Sequence, residues 1–317
     1  MALRSHIEKK IITSATGQQL ISSSKKMYLP GFSGLSMYDV FPALIKQLRK
    51  TSLVERASGI SFNIVMAIPP TLLFVFTLIP LLPVSKQFIQ ELFSLIRDVI
   101  PGEKNNSVII NFLNDFLNKP RNGLLSFGLL LTIYFSSNAI MGILRAFDKN
   151  YPGFMRRKLL HRRKIALQLT IIVFVLITAC IFLLIAQEQF LQWIGIKSEF
   201  WRSAIENFRW VLVSLLCYYI VSFIYRHGAA VTKKWPLLTP GAVFATALML
   251  IATAIVSFWV NNFASYNKIY GSISAIFILM SLIYVNSLAV LMGFELNVTL
   301  SNLRQAREES KKTILKP

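Results

Sequence analysis

One carboxylate ends the longest C-terminal apolar stretch of the chain. Glu295 follows residues 269–294, 26 positions without Asp, Glu, Lys or Arg, in the run LAVLMGFELN. A carboxylate at the end of a lipid-facing segment requires water, a cation or a proton. The candidate cations are Arg56, Arg145 and Arg226. Paired with one of them, Glu295 seats a helix end. Protonated in one state and charged in another, it couples ion or solute movement to protons. Three amides, Asn63, Asn138 and Asn286, also stand in uncharged stretches. Lipid cannot satisfy their hydrogen bonds, so they face the interior as interhelical contacts or as substrate contacts.

Pro69 and Pro70 sit mid-stretch in 57–85, with Pro80 and Pro83 further on. Each removes a backbone donor and crowds the preceding turn, so the segment is expected to kink or break. Broken backbone survives in lipid only against protein or a wet cavity. A cavity wall, a moving joint and a static packing kink all fit that pattern. Arg226, His227, Lys233 and Lys234 form an acid-free loop beside Tyr218, Tyr219 and Tyr225. This is a candidate anion contact at the inner interface, and an aromatic belt with positive-inside loops has the same composition. Enzyme signals are sparse. His6, His161 and His227 are scattered, and HExxH, CxxC, GxxxxGK[ST] and GxSxG patterns are absent. The expectation is a protein that is not an enzyme, with no metal and no cofactor.

Composition says what must position these groups. The 317 residues are 54% hydrophobic and only 15% charged, with a mean hydropathy of +0.56. A soluble domain has nearer 25% charged residues, so ordinary cytosolic enzymes are excluded. Charge-free windows lie at 57–85, 122–144, 165–187, 210–225, 235–267 and 269–294. A bilayer crossing takes about 20 apolar residues, and six transmembrane helices are predicted. The window at 210–225 is the shortest, flanked by Arg209 and Arg226, which can snorkel. Segments 1–56, 145–164, 226–234 and 295–317 carry 25 Lys and Arg against 7 acids, and the alternate loops carry 9 against 7. The net charge of +20 is therefore membrane topology: both termini are expected in the cytoplasm. The run from Arg156 to Lys164 reads as a retention signal and an anionic-lipid contact, not a nucleic-acid site.

The fold class is thus all-α, a polytopic membrane protein with amphipathic helices before span 1 and between spans 1 and 2. In 36–50, Val40, Phe41, Leu44, Ile45 and Leu48 share a helical face with Lys46, Arg49 and Lys50 turned away. That helix lies on the membrane surface or against the base of the bundle. Apolar stripes in 86–121 predict an outer helical hairpin. The expected division is a cytoplasmic segment 1–56, a membrane domain 57–298 and a charged cytoplasmic tail 299–317.

Several stretches resemble the YihY/BrkB family of bacterial inner-membrane proteins, formerly labelled ribonuclease BN-like. They are RASGISFNIVMAIPPTLLF (56–74), SSNAIMGILRAFDKNY (136–151), YYIVSFIYRH (218–227), PLLTPGAVFATAL (236–248) and NKIYGSISAIFILMSLIYVNSLAVLMGFELN (267–297). ASGISFN departs from the family's AxAFY start, and Phe294 stands where the family's LLGAELN has alanine. The resemblance implies a six-span inner-membrane protein without settled activity, and it implies that the ribonuclease label is a misassignment. By match it singles out Asn138, Arg145, Pro240, Gly241, Tyr270, Gly271, Glu295 and Asn297.

The function expected from these features is a transporter or lipid translocator for an amphipathic or anionic solute. The alternative is a non-catalytic scaffold organising envelope proteins, and a ribonuclease is the remote third. The expected partners are membrane lipids, with anionic headgroups at the cytoplasmic face, and a second copy of the chain. No nucleic acid is expected.

Overall fold

The structure is a computed structural model that describes residues 31–32, 34–78, 122–148, 151, 154–155, 157–194, 199–231, 234–262 and 273–314. The hairpin expected at 86–121, Tyr270, Gly271 and Lys233 lie outside these residues. Among the described residues, seven helices follow in chain order: α1 (Met37–Lys50), α2 (Leu53–Leu78), α3 (Asn122–Phe147), α4 (Leu159–Ile194), α5 (Glu199–Gly228), α6 (Pro240–Asn262) and α7 (Ile273–Ile314). Five of them contain segments long and apolar enough to cross a membrane: Leu53–Phe74, Ser126–Phe147, Val211–Gly228, Pro240–Trp259 and Ile276–Ser310. The charge-free window at 165–187 falls on α4, a helix of 36 residues. The protein is an all-α, multi-pass membrane protein.

Each helix from α2 to α7 packs on the next, and α7 returns to pack on α2, so six helices form a closed ring. Helix α1 lies outside the ring against α7. Ser36 caps α1: its Oγ accepts from the Asp39 amide at 3.3 Å and donates to the Asp39 carboxylate at 2.8 Å. Val40 and Leu44 bury themselves with Leu296 and Leu300 of α7, and Leu48 and Leu303 pack beside them. Arg304 and Arg307 on the same helix donate to the carbonyls of Gly31 and Gly34 at 2.5 and 3.0 Å. Residues 31–50 and the end of α7 therefore share one end of the ring. The α3–α4 and α5–α6 connections meet there too, through the Met155 amide on the Ala230 carbonyl at 2.7 Å. The described parts of all four basic segments gather at this basic end.

The apolar core is concentrated at that end. It combines Ala57 and Ile60 of α2, Leu144 and Phe147 of α3, Ala166 and Leu169 of α4, Ile224 and Tyr225 of α5, Ala242 and Ala245 of α6, and Leu291 and Phe294 of α7. Away from it, α6 exposes eight of its ten side chains from Leu250 to Trp259. A helix packed along one face would bury about a third of them. Apolar surface of that extent belongs against lipid or an amphipathic ligand. Among the described residues, the buried apolar core of the ring lies at the basic end.

Two expectations change in detail. Helix α2 is not broken at Pro69-Pro70: one helix runs through both. Beside the proline pair, Thr71 Oγ donates to the Ala67 carbonyl at 2.6 Å and Thr132 Oγ of α3 to the Pro70 carbonyl at 2.7 Å, the second bond tying α3 to α2. Phe41 does not join Val40 and Leu44 but is 58% exposed, because the α7 surface accommodates a stripe one side chain wide. Helices α2 and α7 run continuously across the divisions expected at 56/57 and 298/299. Helix α7, at 42 residues, is about 63 Å long, roughly twice a hydrocarbon core.

The tightest packing is the crossing of α6 and α7. A Cβ on Gly241 would lie 2.1 Å from the Gly293 carbonyl oxygen, and one on Gly293 would lie 2.7 Å from the Tyr225 hydroxyl. Close backbone approach of this kind is how membrane helices associate without a hydrophobic driving force between them. Gly241→Ala is expected to push the two helices apart and cost about 2–3 kcal/mol. The check is a lowered thermal unfolding midpoint in detergent relative to Ala247→Gly on the same helix.

Candidate functional site

The basic end is held by a buried ion pair. Glu295 is fully buried on α7, and Arg56, one turn into α2, retains only 8% of its side-chain exposure. Arg56 Nη1 donates to Glu295 Oε1 at 2.6 Å, and Nη2 donates to the Ala146 carbonyl near the end of α3. The Tyr151 hydroxyl donates to the same Oε1 at 2.6 Å, and Gln47 Nε2 of α1 donates to Oε2 at 3.1 Å. One carboxylate therefore ties together α1, α2, the α3–α4 connection and α7. Burial pushes the Tyr151 phenol above the ordinary tyrosine range and the Glu295 charge adds to that, so the hydroxyl stays a proton donor.

An aromatic nest lies against the pair. The Phe147 and Phe294 rings stack in parallel with centroids 3.9 Å apart. Tyr151, Phe154, Tyr225 and Trp235 surround Phe294 at 5.5–6.3 Å. Tyr225 donates to the Val290 carbonyl at 2.5 Å. The phenylalanine that stands in place of the family's alanine is thus the centre of the plug. The α3–α4 connection straps across it: Phe154 forms a β-bridge with Val231, and Arg157 donates to the Gly228 and Ala229 carbonyls at 2.9 and 2.7 Å, capping α5. Asp148 meets Arg162 at 2.6 Å in an ion pair without hydrogen-bond alignment. Burial raises the Asp148 pKa, against the opposing pull of Arg162 and Arg157.

Of the three candidate cations for Glu295, the fold selects Arg56. Arg145 is exposed on α3, and Arg226 is half-buried at the end of α5. Asn297 joins the same region by another route: its Oδ1 accepts from the Gly241 amide at 2.9 Å and its Nδ2 donates to Thr239 Oγ at 3.1 Å. Thr239 in turn accepts from the Ala242 amide at 3.2 Å, so Asn297 and Thr239 together satisfy the start of α6.

The other residues singled out by type do not converge. Asn63 donates to the Gly59 carbonyl of its own helix at 2.6 Å and packs on Gly142. Asn138 accepts from Arg163 at 2.5 Å. Asn286 buries its Oδ1 without a hydrogen-bond partner among the described residues. Pro69 is exposed and Pro70 half-buried. His227 sets its Nδ1 3.1 Å from the Phe223 carbonyl on its own helix, and Lys234 is exposed. Sequence reasoning missed Tyr151, Gln47 and Arg163. The first two carry no spacing signal, and Arg163 is hidden in a basic run whose charge topology already explains. Among the described residues, no three His, Cys, Asp or Glu gather as a metal site.

Comparison with known proteins agrees with this architecture. The sequence model of the family described as Virulence factor BrkB matches residues 44–314. A Bacillus subtilis (strain 168) protein named as ribonuclease-like, YfkH, is 28% identical over 262 residues, 81% of this chain and 93% of that protein. A UPF0761 membrane protein of Xanthomonas axonopodis pv. citri (strain 306) is 32% identical over 103 residues, 32% of this chain and 24% of that one. Another from Stenotrophomonas maltophilia (strain K279a) is 28% identical over 94 residues, 30% of this chain and 22% of that one. No solved structure matches the chain.

Removing one member of a buried pair strands the other charge, which costs about 3–5 kcal/mol. Glu295→Gln and Arg56→Gln are each expected to lose that much. The double variant Arg56→Met with Glu295→Met should lose markedly less than the sum. Unfolding midpoints of the four proteins in detergent form the double-mutant cycle that checks this.

Proposed function

The chain belongs to the family described as Virulence factor BrkB, and on that premise we propose that it is a non-catalytic translocator of an amphipathic solute or lipid, closed at its cytoplasmic end. The observation that carries this reading is the buried network at the basic end. There one carboxylate joins α1, α2, the α3–α4 connection and α7, beside an aromatic plug from α3, α5 and α7. Among the described residues beyond it, most side chains of α6 from Leu250 to Trp259 are exposed, an apolar surface that suits lipid or an amphipathic solute. A buried charge network closing one end of a helical ring suits a carrier closed at that end.

The topology assigned here is six passes with both termini in the cytoplasm of a bacterial inner membrane. Helix α4 supports the sixth pass: it starts at the basic end beside Asp148, its 36 residues are about 54 Å long, and α5 returns to the same end at Gly228. Positive-inside assigns the basic end to the cytoplasm. Its Lys and Arg then face the anionic leaflet.

In this reading Glu295 and Arg56 form the inner latch, and Tyr151 is its weakest element, a neutral donor on a connecting strap. Losing its hydrogen bond is worth about 1–1.5 kcal/mol, roughly a five- to tenfold rise in the fraction with the latch open. Sealed proteoliposomes carrying headgroup-labelled lipid test the reading. Wild type should move label between leaflets faster than empty liposomes, and Tyr151→Phe should move it several-fold faster still. A folded wild type at the empty-liposome rate, for lipid and for a panel of anionic amphiphiles, would sink the proposal.

A further inference from the structure

A cation near the mouth of a membrane helix normally reaches outward for water. Arg163, five residues into α4, reaches the other way. Its Nη1 donates to Asn138 Oδ1 at 2.5 Å, and its guanidinium carbon lies 5.0 Å from the centre of the Tyr134 ring. Asn138 is nine residues before the end of α3 at Phe147, about 13 Å inside the segment Ser126–Phe147. Its neighbour Arg162 turns back to Asp148. The nearby carboxylate is thus taken by Arg162, and Arg163 is held by a neutral amide and the face of a ring. Among the described residues, no acid compensates its charge.

The surroundings face outward. Tyr134, Asn138 and Arg145 lie within about 40° of one another around α3, away from the buried Ile140, Ile143 and Phe147. Tyr134 is 54% exposed, and Arg145, also exposed, continues the same stripe toward the basic end. An uncompensated cation is costly at this depth unless an anion joins it. The amide and the ring fix the guanidinium without neutralising it, and most of its five N–H donors remain for a ligand.

We propose that Arg163, presented by Asn138 and Tyr134, binds a phosphoryl group at the outer face of α3 and α4, with Arg145 as the cation on its approach. The planar fork suits two phosphoryl oxygens, and the exposed tyrosine beside it suits the glycerol and upper acyl region of a phospholipid. The same chemistry would accept a soluble phosphate. The assignment rests on the translocation reading for what the site is used for, since it names the headgroup class, but binding itself requires no transport.

The test is native mass spectrometry of the full-length chain with phosphatidylglycerol and phosphatidylcholine as probes. Wild type should retain phosphatidylglycerol in preference, and Arg163→Gln should lower that retention about tenfold, the worth of a charge-assisted hydrogen bond. Asn138→Asp keeps the shape and the contact to Arg163 but neutralises the guanidinium, so it should lower retention similarly. A purely structural contact predicts no change there, which keeps the test decisive if Arg163→Gln fails to fold. Phosphatidylglycerol retention at the wild-type level in folded Asn138→Asp overturns the proposal. Displacement of the lipid from wild type by millimolar inorganic phosphate would overturn the lipid source in favour of a soluble one. Intact, Arg163-dependent retention with no scrambling would sink the translocation reading and leave this site standing.

Discussion

Glu295 has no water to turn to, and that constraint organises the basic end of the molecule. A carboxylate with no exposed surface must have its oxygens occupied by donors of the chain. Arg56 supplies the charge, while Tyr151 and Gln47 fill the remaining acceptor positions. Each donor comes from a different stretch of chain, so satisfying one side chain requires α1, the start of α2, the α3–α4 strap and the middle of α7 to meet. Arg56 extends the reach by donating to the end of α3 at Ala146. The pair adds little net stability over apolar packing, but it makes the arrangement specific, because few other packings leave neither charge stranded.

Two further devices work at the same end by different physics. The crossing of Gly241 and Gly293 brings the α6 and α7 backbones into contact, which dispersion alone rewards inside a bilayer. Asn297 then reaches across it to the Gly241 amide at the start of α6. The stacked Phe147 and Phe294 rings fill the axis between α3, α5 and α7. Charge, backbone contact and aromatic packing therefore coincide in one layer. Among the described residues above that layer, most side chains of α6 from Leu250 to Trp259 are exposed.

Much of the fold was legible because membrane insertion is a local requirement. Five of the six charge-free windows coincide with membrane-length helices, since a bilayer demands contiguous apolar residues and forbids unpaired backbone. The site was partly legible for the same reason. Glu295 stood out as a charge at the end of an apolar run, and Arg56 stood among its three candidate partners. Tyr151 and Gln47 did not stand out, because a tyrosine in a loop and a glutamine on an amphipathic helix are ordinary in isolation. Asn63 and Asn138 were recognised as amides needing partners, but their partners proved to be a carbonyl of the same helix and an arginine of the next. The proline pair misled as evidence for a break, because one helix runs through both residues.

By itself the sequence determined the helical class, the apolar segments, the gathering of basic segments and the identity of the buried carboxylate. All of these depend on residue type and contiguity along the chain. Only the tertiary structure decided which cation meets Glu295, that Phe294 would centre an aromatic plug, that α1 would dock on α7, and that Arg163 would turn inward to Asn138 while Arg162 turned to Asp148. These choices depend on which side chains become neighbours across the ring. Adjacent arginines have the same chemistry in sequence, and the helix packed against them separates their roles.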